Sequence, residues 1–253
     1  MSVPAQESAD LQRRFGGLQR LYGVAGAQRI RAAHVAVIGI GGVGSWAAEA
    51  LARSGVGRLT LIDMDHVAES NVNRQIHALD GTFGLPKVEA MAERVRLVNP
   101  ACRVHTVEDF ISADNVATLL APPVGLVIDA IDDLRAKAAM AAWCRRQSLP
   151  LLVSGAAGGR IDPTRIQVAD LARVTGDPVC ARLRYELRKK YGFSRDPKAR
   201  FGIECVFSDE PVRKPQAGAV CESGAAPQGL ACAGYGSAMT VTASMGLVLV
   251  SRA

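Results

Sequence analysis

One stretch, Val35-Ala36-Val37-Ile38-Gly39-Ile40-Gly41-Gly42-Val43-Gly44-Ser45-Trp46, constrains the fold of this 253-residue chain more than any other. An apolar run enters glycines spaced G-x-G-x-x-G, and Ser45-Trp46-Ala47-Ala48 reads as the start of a helix. A strand, a tight glycine turn and a helix in that order open a doubly wound parallel sheet. Glycine lets a phosphate lie against the backbone, and the unpaired N–H groups at a helix start favour anions. Gly39, Gly41, Gly42 and Gly44 are therefore candidate nucleotide-binding residues. The spacing does not separate a dinucleotide from a nucleoside triphosphate.

The rest of the chain keeps the same alternation. Apolar periodicity predicts strands at 34–39, 58–63, 102–107, 124–129 and 150–154, and helices at 43–54, 84–98, 112–120 and 134–147. A helical lead-in covers 11–30 and residues 1–9 read as a disordered tail. After Gly155 the texture changes: 165–169 alternates as an antiparallel strand does, 178–191 is a basic helix and 201–207 a further strand. Residues 208–235 form a long crossover loop without periodicity, and 236–250 a buried apolar helix. The expected fold is α/β: a Rossmann-like, doubly wound, mainly parallel sheet extended by antiparallel strands, with a crossover loop and a C-terminal helix. Residues 10–253 read as a single domain, 10–155 being its nucleotide-binding half and 156–253 its substrate-binding half.

Composition narrows the setting. The N-terminus is polar and lacks a secretory signal, so a cytoplasmic protein is expected. The apolar C-terminal stretch is too short to span a bilayer, which leaves only peripheral membrane association open. Six scattered cysteines with no C-x-x-C pair point to free thiols and to no structural zinc. Cys221 and Cys232, in the long loop, are either small apolar residues or a thiol that accepts sulfur or forms a thioester. The net charge is +6, and it clusters: Arg182, Arg184, Arg188, Lys189, Lys190, Arg195, Lys198 and Arg200 stand among Tyr185, Tyr191, Phe193 and Phe201. Cations for phosphates with rings for unpaired bases suit RNA, against the plainer reading of a solvated helix face.

The residues after the second strand separate the nucleotides. Asp63 ends that strand, where an acid accepts a ribose hydroxyl in either class of site. Then follow Asp65, Asn71, Arg74 and Gln75, with Lys87 in the first turn of a helix and Asp129, Asp132 and Asp133 at the end of the fourth strand. Carboxylates for Mg²⁺ with an arginine and a lysine for phosphates suit chemistry on ATP; hydride transfer needs none of them. Each also has a plainer role, Asp132 and Asp133 as helix caps and Arg74 and Lys87 as surface charges.

In order, GIGGVGS, LIDMDHV, SNVNRQ, GLPKVEA and VIDAIDD resemble the ATP-binding core of the ubiquitin-activating and sulfur-carrier adenylyltransferase superfamily. That resemblance implies adenylation of a carboxylate with release of pyrophosphate. It also implies Asp63 at the ribose, Asn71, Arg74 and Lys87 at the phosphates, and Asp132 at Mg²⁺ or the adenosine, with Asp65 among the nucleotide-binding residues. A homodimer is implied, in which the N-terminal helix lends an arginine to the neighbouring site, Arg20 or Arg14. The stretches RFGGLQRLYG, NRQIHAL, DFISADNVA, WCRRQSLPL and GGRIDPTRIQVADLA narrow the resemblance to the branch that dehydrates threonylcarbamoyladenosine in tRNA. The implied reaction uses ATP to activate the threonylcarbamoyl carboxylate, after which the carbamoyl group closes a ring. Three other readings stay open. They are an adenylyltransferase acting on the C-terminal glycine of a ubiquitin-like sulfur carrier, a nicotinamide oxidoreductase, and a non-catalytic partner of a sulfur-transfer system with its cysteine desulfurase.

Overall fold

The computed structural model describes residues 10–121, 124–213 and 235–253. Seven strands form one sheet: β1 (His34–Ile38), β2 (Arg58–Ile62), β3 (Arg103–Val107), β4 (Leu126–Asp129), β5 (Leu151–Ser154), β6 (Ile166–Asp170) and β7 (Glu204–Ser208). Their order is β3-β2-β1-β4-β5-β7-β6, and every pairing is parallel except β6 with β7. The helices are α1 (Leu11–Ala32), α2 (Gly44–Arg53), α3 (Lys87–Val98), α4 (Val116–Leu119), α5 (Leu134–Arg146), α6 (Pro178–Lys190) and α7 (Met239–Ser251). The doubly wound architecture expected from the sequence is the one observed. The antiparallel extension is smaller than expected, because β7 joins β5 in parallel and only β6 runs against it.

Strand alternation divides the core into two layers. Ala36, Ile38, Val127 and Val153 face α5 and α6, whereas Val35, Val37, Leu59, Leu61 and Ile128 face α2, α3 and α7. Strands buried on both faces read as the near-continuous apolar runs that marked them in the sequence. The apolar C-terminal stretch is α7, which lies on α2; a side chain at Gly246 would stand 2.6 Å from the Val43 carbonyl oxygen. Among the described residues no helix is long and apolar enough to cross a membrane.

Several boundaries move for local reasons. The lead-in α1 is interrupted at Gly23, whose φ is +72°. Helix α3 begins at Lys87 rather than 84, since Gly84 has φ +84° and Pro86 is the N-cap. Helix α4 is a single turn: Asn115 Oδ1 accepts the Ser112 N–H at 2.7 Å and Asn115 Nδ2 donates to the Phe110 carbonyl at 2.8 Å, which holds 110–115 as a loop. Strand β7 starts at Glu204 rather than 201 because the Phe201 and Gly202 N–H groups are taken by the Asp170 carboxylate at 2.9 and 2.8 Å. The expected tail at 1–9 and most of the crossover loop, with Cys221 and Cys232, lie outside the described residues.

Candidate active site

The carboxyl ends of the parallel strands converge on a cavity of about 1020 Å³. Its floor is the glycine turn. Gly44 has no room for a side chain, since a Cβ there would overlap the Gly39 carbonyl oxygen at 1.8 Å. Gly39 has φ +85° and lies against Ala130 in the loop after β4. The glycines therefore close the β1–α2 turn tightly enough for its N–H groups to face a ligand. Gly39, Gly41 and Gly42 line the cavity; Gly44, inside α2, shapes the turn from behind.

Asp63 stabilises that turn. Its carboxylate accepts the Ile40 N–H at 2.5 Å and the Asp65 N–H at 2.8 Å. Burial pushes its pKa above the ordinary carboxylate value, opposed by Lys87 and by the two backbone donors. Lys87 is drawn inward although it is a lysine: its side chain is 8% exposed, and Nζ sits 2.6 Å from Asp65 Oδ2. Asn71 Oδ1 accepts the Ala68 N–H at 3.1 Å, which leaves the amide NH₂ for the cavity that Asn71 lines. Arg74 donates to the Ser70 carbonyl and Asn73 Oδ1 at 2.8 and 2.9 Å, while Trp46 Nε1 holds the Arg74 carbonyl at 2.9 Å. Its aliphatic stem lies beside Gly42.

The two carboxylates after β4 divide their labour. Asp133 caps α5 by accepting the Ala136 N–H at 2.7 Å, the structural role weighed for both. Asp132 is exposed on the cavity wall and makes no hydrogen bond or ion pair with the described residues. Among the described residues, no group of three or more His, Cys, Asp or Glu side chains could hold a metal by themselves.

The remaining expected residues lie elsewhere. Arg14 is committed within its own chain, donating to the Leu97 and Val98 carbonyls at the end of α3 at 3.2 and 2.9 Å. Arg20 is exposed on α1 and does not line the cavity. In the basic segment, Arg182, Lys189, Arg195, Lys198 and Arg200 are exposed. Arg184, by contrast, donates to the Leu171 and Val174 carbonyls at 3.2 and 2.6 Å. Arg188 donates to the Ser194 carbonyl at 3.0 Å and lies over the Phe201 ring. Lys190 pairs with Glu186 at 2.7 Å and lines the cavity. Phe201 is buried at 1% exposure with Phe193 against it edge-on, so those two rings are core rather than stacking surfaces. Tyr185 remains exposed, with Lys189 Nζ 5.4 Å from its ring centre.

Two fully buried ion pairs beneath the cavity were not foreseen. Lys137 Nζ lies 2.7 Å from Asp129 Oδ1 and donates to the Ile131 carbonyl at 2.9 Å, which fixes the loop that carries Asp132. Burial pushes the Asp129 carboxyl up and Lys137 opposes it. Arg160 Nη2 lies 3.1 Å from Asp177 Oδ2, with Arg160 also donating to the Ala156 carbonyl. Asp177 in turn accepts the Ala156 and Cys180 N–H groups, both at 2.9 Å, and so ties the loop after β5 to the start of α6. The signal for the first pair was a lysine inside the apolar run Ala136-Lys137-Ala138-Ala139. The second joins residues far apart in the chain and left none.

A profile of the ThiF family matches residues 12–251. The tRNA threonylcarbamoyladenosine dehydratase of Escherichia coli is 52% identical over 247 residues, covering 96% of this chain and 92% of that protein. The crystal structure of the E. coli tRNA N6-threonylcarbamoyladenosine dehydratase in complex with ATP aligns with a TM-score of 0.87 and 49% identity, covering 96% of this chain and 93% of that one. Its complex with AMP gives a TM-score of 0.86 at 48% identity, covering 98% and 96%. The resemblance carried by the ordered motifs thus holds along nearly the whole length, and the chain belongs to the ThiF family.

Proposed function

We propose that this chain dehydrates threonylcarbamoyladenosine in tRNA at the expense of ATP, through an acyl-adenylate. The observation that carries the reading is one cavity that gathers Asn71, Arg74, Lys87 and Asp132 around a glycine turn, in a chain 52% identical to an enzyme of that name. The E. coli enzyme's complexes with ATP and with AMP support ATP as co-substrate and AMP as product.

A free carboxylate is a poor electrophile, and adenylation gives it a leaving group. A carboxylate oxygen of the threonyl group attacks the α-phosphorus of ATP, forming the acyl phosphate bond as the bond to pyrophosphate breaks. The carbamoyl nitrogen or oxygen of the same side chain then attacks the acyl carbon, loses a proton and expels AMP, which keeps the carboxylate oxygen. The net loss from the nucleoside is one water. Because the nucleophile is already attached, ring closure needs positioning and the exclusion of water more than a nucleophilic side chain.

In this reading Asp63 and Asp65 serve the ribose end, with Asp63 also bracing the glycine turn and Asp65 holding Lys87 at the cavity wall. Arg74, Lys87 and the Asn71 amide stabilise charge on the phosphates. Asp132 suits Mg²⁺, since that ion takes one or two carboxylates together with phosphate oxygens rather than an all-protein cage. When bound, Mg²⁺ would neutralise charge that develops on the departing pyrophosphate. The nucleotide half at 10–155 and the substrate half at 156–253 then meet over the strand ends. The exposed cations Arg182, Lys189, Arg195, Lys198 and Arg200 supply phosphate contacts for the tRNA, with the already engaged Arg184 and Arg188 supporting them.

Pyrophosphate–ATP exchange tests the adenylation step. Threonylcarbamoylated tRNA should stimulate exchange, and Asp132→Ala should lower it by at least a hundredfold. Exchange stimulated instead by a ubiquitin-like protein with a C-terminal glycine, and not by tRNA, would overturn the substrate assignment.

A further inference from the structure

The cavity extends well beyond the glycine turn. At about 1020 Å³ it lies at the upper end of the ~300–1000 Å³ typical of a single-ligand site. Its lining also falls into two chemically different parts. The glycine turn, Asp63, Asn71, Arg74, Lys87 and Asp132 account for a nucleoside triphosphate. Arg135 on α5, and Val179, Glu186, Lys190 and Tyr191 on and after α6, also line the cavity, and adenylation assigns them nothing.

Helical phase explains how α6 supplies this second wall. Val179, Glu186 and Lys190 are spaced by seven and four residues and share one face. Cys180, Leu183 and Leu187 turn a second face to the core, and Arg182, Tyr185 and Lys189 are left to solvent. The groove therefore runs from Gly158 and Val179, over the strand ends, outward to Lys190 and Tyr191. Its floor is fixed at the inner end by the buried Asp177, which caps α6 and holds the Ala156 N–H. At the outer end Glu186 accepts from Lys190 at 2.7 Å, which holds that cation at the groove mouth, and Arg135 lines the cavity from α5. The Tyr191 ring is half-buried there, packed on the core on one side and lining the cavity on the other.

We propose that the α5–α6 groove is a second nucleoside subsite, which takes the threonylcarbamoyladenosine turned out of its single-stranded loop. Tyr191 forms the wall against which the base stacks, and Arg135 and Lys190 hold the flanking loop phosphates. Glu186 positions Lys190. This rests on the dehydratase reading for the identity of the nucleoside, and an adenine ring could equally come from ATP, so the test separates the two sources.

The experiment measures direct binding of ATP without tRNA, and of threonylcarbamoylated tRNA across a salt series, for wild type, Arg135→Gln/Lys190→Gln and Tyr191→Leu. Thermal melting of each variant confirms folding. The groove predicts unchanged ATP affinity in both variants and at least tenfold weaker tRNA binding in each. In Arg135→Gln/Lys190→Gln the plot of log K against log[salt] should also be shallower by about 1.4, as for two single-strand phosphates lost. In Tyr191→Leu that slope should stay at the wild-type value, since stacking releases no counterions. ATP binding that weakens in parallel would give the groove to the co-substrate and overturn the proposal. So would tRNA binding that neither variant moves. A wild type that binds this tRNA through the groove but does not convert it would instead refute the dehydratase reading alone.

Discussion

Lys137 occupies a place where an ammonium group is costly, at 0% exposure inside an alanine-rich helix face. It is tolerated because Asp129 and the Ile131 carbonyl satisfy it, and the pair fixes the backbone from which Asp132 reaches the cavity. Removing one partner leaves the other buried and uncompensated, which typically costs about 3–5 kcal/mol. Lys137→Met should lower the free energy of unfolding by that amount in urea titrations at neutral pH. The deficit should shrink as pH falls. A carboxyl whose folded pKa lies above its unfolded value contributes stability below the unfolded pKa and loses it as pH rises through the folded one. Burial already raises Asp129, and the loss of Lys137 removes the group that opposes this. Adding Asp129→Leu to Lys137→Met should recover most of the loss. A single-variant cost below ~1 kcal/mol would show that the pair does not carry this load.

At the scale of elements, legibility followed the periodicity of burial. Strands β1 and β4 were plain because both of their faces are covered, so Val35 to Ile38 and Leu126 to Ile128 read as uninterrupted apolar runs. Boundaries failed where a side chain takes over backbone groups: Asn115 shortens α4, and Asp170 holds back the start of β7. Asp63 and Asp132 follow strand ends, Lys87 opens α3 and Arg74 sits in the turn between β2 and α3, and the fold brings all four, which the sequence singled out, to the wall of one cavity. Composition could not resolve the basic segment, because only helical phase separates the exposed Lys189 from Arg184, which is spent on the Leu171 and Val174 carbonyls. Arg160 and Asp177 meet only once β5 and α6 are packed, and no local pattern announces that.

For the whole molecule, α1 carries an apolar run that the other described residues do not cover: Leu21 at 71%, Tyr22 at 57% and Val24 at 54%. Such a patch beside Arg20 suits a two-fold partner that buries it and receives the arginine. Arg14 donates to the Leu97 and Val98 carbonyls of α3 in the same chain, so the dimer test is made on Arg20. Arg20→Ala and Asp132→Ala chains, each inactive alone, should regain about a quarter of wild-type activity when mixed at random as dimers. No recovery from the mixture would mean that each chain completes its own site.

The most direct test of the central claim is nucleoside mass spectrometry of threonylcarbamoylated tRNA after incubation with the protein, ATP and Mg²⁺. The expected result is loss of one water from the modified adenosine, strictly dependent on ATP, matched by one AMP and one pyrophosphate per event and absent with Asp132→Ala. An unchanged nucleoside in the presence of protein that binds both ATP and this tRNA would contradict it.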